Sequence, residues 1–160
     1  MSTSSEEELI RELRPIEWDE QIFGSGITTI DDQHRVLFGI YNLLIDKIRA
    51  RDLNLMDAVN LSFELEEFVK MHFQYEEDCM RHYGCVKAEE NIEGHKIFRR
   101  KLDELIALLK ETLPSFREIA GNLVFLKEWL ETHIKGIDSS LNDCKTRFEA
   151  RLEESVRFGS

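Results

Sequence analysis

The stretch Asp31-Asp32-Gln33-His34-Arg35-Val36-Leu37-Phe38-Gly39-Ile40-Tyr41-Asn42-Leu43-Leu44-Ile45-Asp46-Lys47-Ile48 decides the fold. Within it His34, Leu37, Phe38, Tyr41, Leu44, Ile45 and Ile48 recur at i, i+3, i+4 and i+7, which is the spacing of one buried helix face. Asp31 or Asp32 is the expected N-cap. The same period returns along the chain. A second stripe, Leu61, Leu65, Phe68, His72, Glu76 and Met80, follows a short polar stretch at 51–54 and ends before Gly84. Asn91, His95, Phe98, Leu102, Ile106 and Leu109 form a third. Pro114 then breaks the chain, and Ser115 with Glu118 reads as a capping box opening a fourth helix that carries Ile119, Leu123, Leu126, Leu130 and His133.

Four such helices with short connections predict an all-α fold, an antiparallel up-down-up-down four-helix bundle over 31–138. A polar, Glu-rich and then irregular N-terminal arm occupies 1–30. Leu141, Cys144, Phe148, Leu152 and Val156 predict an extra amphipathic C-terminal helix within 139–160, a linker to an output domain if the chain is one part of a longer protein.

Composition narrows the function. At 160 residues the chain is one domain, and 21 basic against 32 acidic residues give a net charge of −11, so nucleic acid and anionic membrane are expected to be repelled. No apolar run approaches a membrane span. Acidic residues at the start argue against a secretory signal, and Cys79, Cys85 and Cys144, odd in number and without a CxxC, suggest a reducing cytoplasm and no disulfide framework. Cys79 is expected to pack in a helix and Cys85 to be a loop thiol.

The apolar stripes carry polar residues that need partners: His34 on the first, His72 and Glu76 on the second, Asn91 and His95 on the third, His133 on the fourth. A buried imidazole or carboxylate is costly unless it is paired, hydrogen-bonded or bound to metal. In a bundle these positions can converge at one level. His72 and Glu76, like Asn91 and His95, are i, i+4 and project together. His133 and Asp138 are i, i+5, about 140° apart on an unbroken helix. Gly136 between them therefore suggests an end or bulge that turns Asp138 inward. Imidazoles and two carboxylates without thiolate suit iron, manganese or zinc, and two carboxylates suggest bridges between two metals. Glu-x-x-His, HExxH, GxSxG, GxGxxG and P-loop motifs do not occur.

Gly26-Ile27-xx-Ile30-Asp31-x-Gln33-His34, His72-Phe73-xx-Glu76-Glu77, His95-xx-Phe98 and Trp129-Leu130-xx-His133-Ile134-xxx-Asp138, with Trp18-Asp19 in the arm, resemble a bacterial hemerythrin domain over about 16–138. The resemblance implies a four-helix bundle holding two non-haem iron ions, bridged by carboxylate and oxo or hydroxo groups, that binds dioxygen reversibly. It implies His34 and His72 as ligands of the iron that receives dioxygen, Glu76 and Asp138 as bridges, and His95 and His133 as ligands of the second iron. Phe73, Phe98, Leu130 and Ile134 would line the ligand pocket. The family's third helix supplies two histidines at i, i+4, and the first falls on Asn91, the position of a missing ligand. His82, beside Tyr83-Gly84, reads better as a solvated turn residue than as its substitute. Glu77 reads as a solvated carboxylate or as one that supports a ligand from outside.

These features suggest a binding module, not an enzyme, that senses dioxygen or redox state as the regulatory input of a larger signalling protein, and the resemblance implies an output such as a diguanylate cyclase. Its partners would be dioxygen or small anions, a fused output domain, and a second copy through the C-terminal helix. The alternatives are a stand-alone dioxygen carrier or store, an iron store, or a di-iron oxidase or peroxidase using the labile position at Asn91.

Overall fold

The computed structural model describes residues 2–51 and 55–159, with the side chains of 2–4, 138 and 139 outside the description. Six helices follow in order: α1 (Ser2–Glu12), α2 (Glu20–Phe23), α3 (Thr28–Arg49), α4 (Leu55–Tyr83), α5 (Ala88–Leu109) and α6 (Phe116–Phe158). Helices α3 to α6 form the expected antiparallel bundle, each packed on the next, with α6 closing against both α3 and α4. Every residue of the first stripe is buried, and Leu65, Phe98, Leu102, Leu105, Leu123 and Leu126 meet it in one core. At about 1.5–3 kcal/mol for each large apolar side chain removed from water, this face is what fixes the bundle. The Tyr41 hydroxyl stays inside by donating to the Leu123 carbonyl at 2.6 Å, and burial pushes its pKa upward. Leu61 and Phe68 of the second stripe are only half-buried, because the inward face of α4 is carried by Ser62, Leu65, Val69, His72, Phe73, Glu76 and Met80.

Helix ends follow the sequence signals in part. The Ser115 hydroxyl accepts from the Glu118 N–H, as the capping box requires. Gly84 (φ 66°) ends α4 in the left-handed region, with Gly84 N–H donating to the Arg81 carbonyl and Cys85 N–H to that of Met80. These are the two bonds of a Schellman termination. The expected cap of α3 is different. The helix begins at Thr28, and buried Asp31 instead accepts from the Ser25 N–H (2.8 Å) and hydroxyl (2.6 Å), which folds the arm back onto the first turn.

The arm is also more ordered than its composition suggests. In α1, Leu9 and Ile10 pack on the core and Leu13 beyond it is fully buried, while Asn42 clamps the extended segment by accepting from the Ile16 N–H and donating to its carbonyl.

Further expectations are overturned. Residues 139–158 form no separate helix: α6 runs unbroken for 43 residues, so Gly136 neither ends nor bulges it. Buried Ile134, Ile137 and Leu141 flank the glycine and hold that stretch in place, outweighing a helix-propensity cost of about 1 kcal/mol. Cys85 is not a loop thiol either, and the expectation that the cysteines form no disulfide is overturned with it. It is bonded to Cys144, with Cα atoms 5.6 Å apart, and the bridge ties the α4–α5 turn to α6. Cys79 is the free cysteine and packs in the cluster beside this bridge, with Met80 and Ile137. Among the described residues no helix is long and apolar enough to cross a membrane.

Candidate metal centre

The end of the bundle where α3 starts, α4 finishes and α5 starts brings the polar residues of all four stripes together. Glu76 is at the middle, 1% exposed. Its Oε2 lies 3.5 Å from His34 Nε2 and 3.3 Å from His72 Nε2, while its Oε1 lies 3.2 Å from His95 Nε2 and 3.8 Å from His133 Nε2. One carboxylate thus divides four imidazoles into two pairs. Each pair, with Glu76, forms a three-residue group able to hold one metal ion.

Hydrogen bonds from behind fix which nitrogen faces inward. His72 Nδ1 donates to Gln33 Oε1 at 2.7 Å, and His95 Nδ1 donates to Glu77 Oε1 at 2.9 Å. Both acceptors are oxygens, so each Nδ1 carries a proton and each ring turns its Nε2 toward the Glu76 carboxylate. Burial lowers the pKa of His34 and of His133, against the pull of Glu76. For Glu76 burial raises the pKa, but the imidazoles of His133, His34, His72 and His95 outweigh it and hold the carboxyl well below its usual range. Four imidazole nitrogens converge on this one buried carboxylate at 3.2–3.8 Å, an arrangement that cations held among them would satisfy. Buried His95 Nε2 and His133 Nε2 have no hydrogen-bond partner among the described residues. The donor set and these orphaned atoms fit metal ions.

The rings are held by aromatic neighbours. Phe73 stacks on His95 (centroids 3.8 Å apart, 4°) and Trp129 on His133 (4.1 Å, 15°), with Phe98 edge-on to Phe73. Leu130 and Ile134 are buried in the same core. On the α3 side Trp18, capped by the Arg35 guanidinium 4.6 Å from its ring centroid, lies 6.5 Å from the His34 ring. The opposite side is more open. His133 is 13% exposed and lines a groove of about 500 Å³ with Lys87, Glu90, Trp129 and Thr132.

Asn91 sits inside the centre. Fully buried, it donates from Nδ2 to Glu76 Oε1 (3.0 Å) and toward Met80 Sδ (3.2 Å), and its Oδ1 is a buried acceptor without a hydrogen-bond partner. The Asp138 side chain lies outside the described residues. His82 is exposed and meets Tyr83 and Phe148, away from the centre. Sequence reasoning placed Met80 only on the second apolar stripe and Gln33 and Trp129 only inside the motifs; their contacts at the centre depend on side-chain direction across helices, which spacing does not encode.

Comparison with known proteins agrees with this geometry. Residues 25–143 match the family model described as the hemerythrin HHE cation binding domain. The chain is 32% identical over 124 residues to a hemerythrin-like protein of Naegleria gruberi, covering 78% of this chain and 88% of that one. It is 29% identical over 129 residues to a bacteriohemerythrin of Methylococcus capsulatus (79% and 94%) and 33% identical over 128 residues to a myohemerythrin of Theromyzon tessulatum (78% and 88%). No solved structure gives a significant match. The chain belongs to the hemerythrin family, and its two His/Glu groups fit the pair of non-haem iron ions with which that family binds dioxygen.

Proposed function

We propose that this domain senses dioxygen or redox state and is the regulatory input of a larger signalling protein. In this reading His34, His72, His95 and His133 are terminal ligands, Glu76 and Asp138 bridge, and Asn91 leaves the ion at His95 and His133 with a weak or missing ligand. The observation that carries it is the division of Glu76, with one oxygen toward each histidine pair. When bound, the iron pair supplies the electrons for reversible dioxygen binding. The chain's own residues do the rest: Gln33 and Glu77 orient imidazoles, Phe73, Phe98, Leu130 and Ile134 keep the pocket apolar, and Trp18 shields the His34 side.

The Asn91 side accepts small exogenous molecules, including anions, in this reading. The groove at His133 with Lys87 at its rim supports that access. A harder, partly solvated ligand set favours the ferric state, so the centre oxidises readily, as suits a sensor more than a carrier. The sensing unit is 31–138, and 139–158, which continue α6 without a break, lead toward an output domain or a second copy. The half-buried Glu77 beside the ligands is engaged in holding His95 in place, which supports a binding module over an oxidase. The reading keeps a cytoplasmic location.

Loading the protein with ferrous iron, counting metal and following the optical spectrum in air tests the proposal. Two irons per chain are expected, with Asn91→His slowing autoxidation and added imidazole perturbing only the natural sequence. One metal per chain overturns the paired centre; an Asn91→His variant with unchanged autoxidation and imidazole response overturns the open position.

A further inference from the structure

The Cys85–Cys144 bridge lies outside the metal centre, and its surroundings differ from those of a buried cross-link. A groove of about 360 Å³, within the size range of small-molecule sites, is lined by Tyr83, Gly84, Cys85, Cys144, Arg147 and Arg151. Cys85 is buried whereas Cys144 is half-buried, so the groove presents Cys144 to an incoming nucleophile. Arg147 and Arg151 stand three and seven residues after Cys144, on its face of α6. Both are exposed, and among the described residues neither guanidinium is in an ion pair, in a chain whose net charge is −11. Two unpaired cations beside an accessible sulfur make a recognition site for a thiol that carries carboxylates.

We propose that this groove is a thiol-exchange site for small anionic thiols of the glutathione class, which are captured on Cys144. The thiolate attacks Cys144 Sγ. A new S–S bond forms to Cys144, the Cys85–Cys144 bond breaks, and the electron pair leaves on Cys85, which takes a proton from water. A second thiolate then attacks the sulfur of the captured thiol, releasing the oxidised small-molecule disulfide and leaving Cys144 as a thiolate that takes up a proton. The Tyr83 carbonyl oxygen, 3.7 Å from Cys144 Sγ, is an acceptor for the thiol so formed. Opening the bridge unties α6 from the α4–α5 turn. None of this uses the metal centre.

The test compares reduced glutathione with β-mercaptoethanol, a neutral thiol, on the intact oxidised chain under native conditions, with alkylation and peptide mass mapping. The glutathione adduct is expected on Cys144. Arg147→Gln with Arg151→Gln is expected to slow glutathione capture about five-fold, the factor that two exposed ion pairs supply, and to leave the mercaptoethanol rate unchanged. Arg147→Lys with Arg151→Lys should retain the glutathione rate, and high salt should erase the difference between the thiols. The proposal is overturned by equal slowing of both thiols, by no slowing of either, by an adduct on Cys85, or by a bridge that reacts only in denaturant. Because both arginines are exposed, the variants test recognition without disturbing the core.

Discussion

Gly94→Ala should separate the stability of the bundle from the affinity of the metal centre, because the two respond in opposite directions. Gly94 lies in α5 immediately before His95, and a Cβ there would stand 3.2 Å from His133 Cε1 and 3.3 Å from its Nδ1. Ordinary contacts are longer, so the ring must give by a few tenths of an ångström. It is stacked on Trp129 at 4.1 Å and faces His95 at 5.0 Å, which leaves sliding along the indole as its freedom and shifts Nε2 relative to Glu76 Oε1. In the metal-free protein the helix gains about 0.5–1 kcal/mol from alanine in place of glycine. For a chain of this size that raises Tm by about 1–4 °C. With metal bound, a displaced ligand costs about tenfold in affinity, roughly 1.4 kcal/mol, and with metal in excess this loss appears in full in the melting temperature. The gain should therefore vanish or reverse in the loaded form. Calorimetry with and without ferrous iron, backed by the optical spectrum of the loaded protein, reads both effects. An equal rise of Tm in the two forms would show that the missing Cβ does not position His133.

Gln33→Ala and Glu77→Ala should each weaken metal binding about 10- to 100-fold, the former at the His34/His72 group and the latter at the His95/His133 group. Competitive titration with a chelator should show one of two phases move in each variant, and a loss of both phases together would contradict two separately supported ions. Tyr41→Phe should lower stability by about 1 kcal/mol in urea unfolding through loss of the bond to the Leu123 carbonyl, with metal content unchanged; lost metal would tie that core contact to the centre.

What the sequence makes legible is what repeats with the helix period. His34 through Ile48 reads as one buried face because burial selects apolar side chains turn after turn, and the polar residues stand out as exceptions to that rule. The convergence of His34, His72, Glu76, His95 and His133 follows from the bundle topology and is also readable. Features set by contacts between distant residues are not. Asp31 has the residue type of an N-cap, yet its carboxylate is taken by Ser25 of the arm, so α3 starts earlier. Cys85 and Cys144 are 59 residues apart and pair only because the α4–α5 turn lands beside α6. Gly136 shows the same limit most clearly. Local propensity argues for a break, but Ile134, Ile137 and Leu141 bury the face on both sides, and tertiary packing exceeds a penalty of about 1 kcal/mol. That outcome has a mechanical consequence. A hinge at Gly136 would absorb any movement of His133, whereas a helix whose backbone hydrogen bonds continue to Phe158 carries that movement beyond the bundle as rotation or translation of one stiff element. The buried face of that element ends at Leu141, and Leu152 and Val156 beyond it are exposed, so the segment that would be displaced is the least restrained by the core. The bond between Cys144 and the α4–α5 turn, together with Phe148 against Tyr83 and His82, ties the start of that segment to the end of α4.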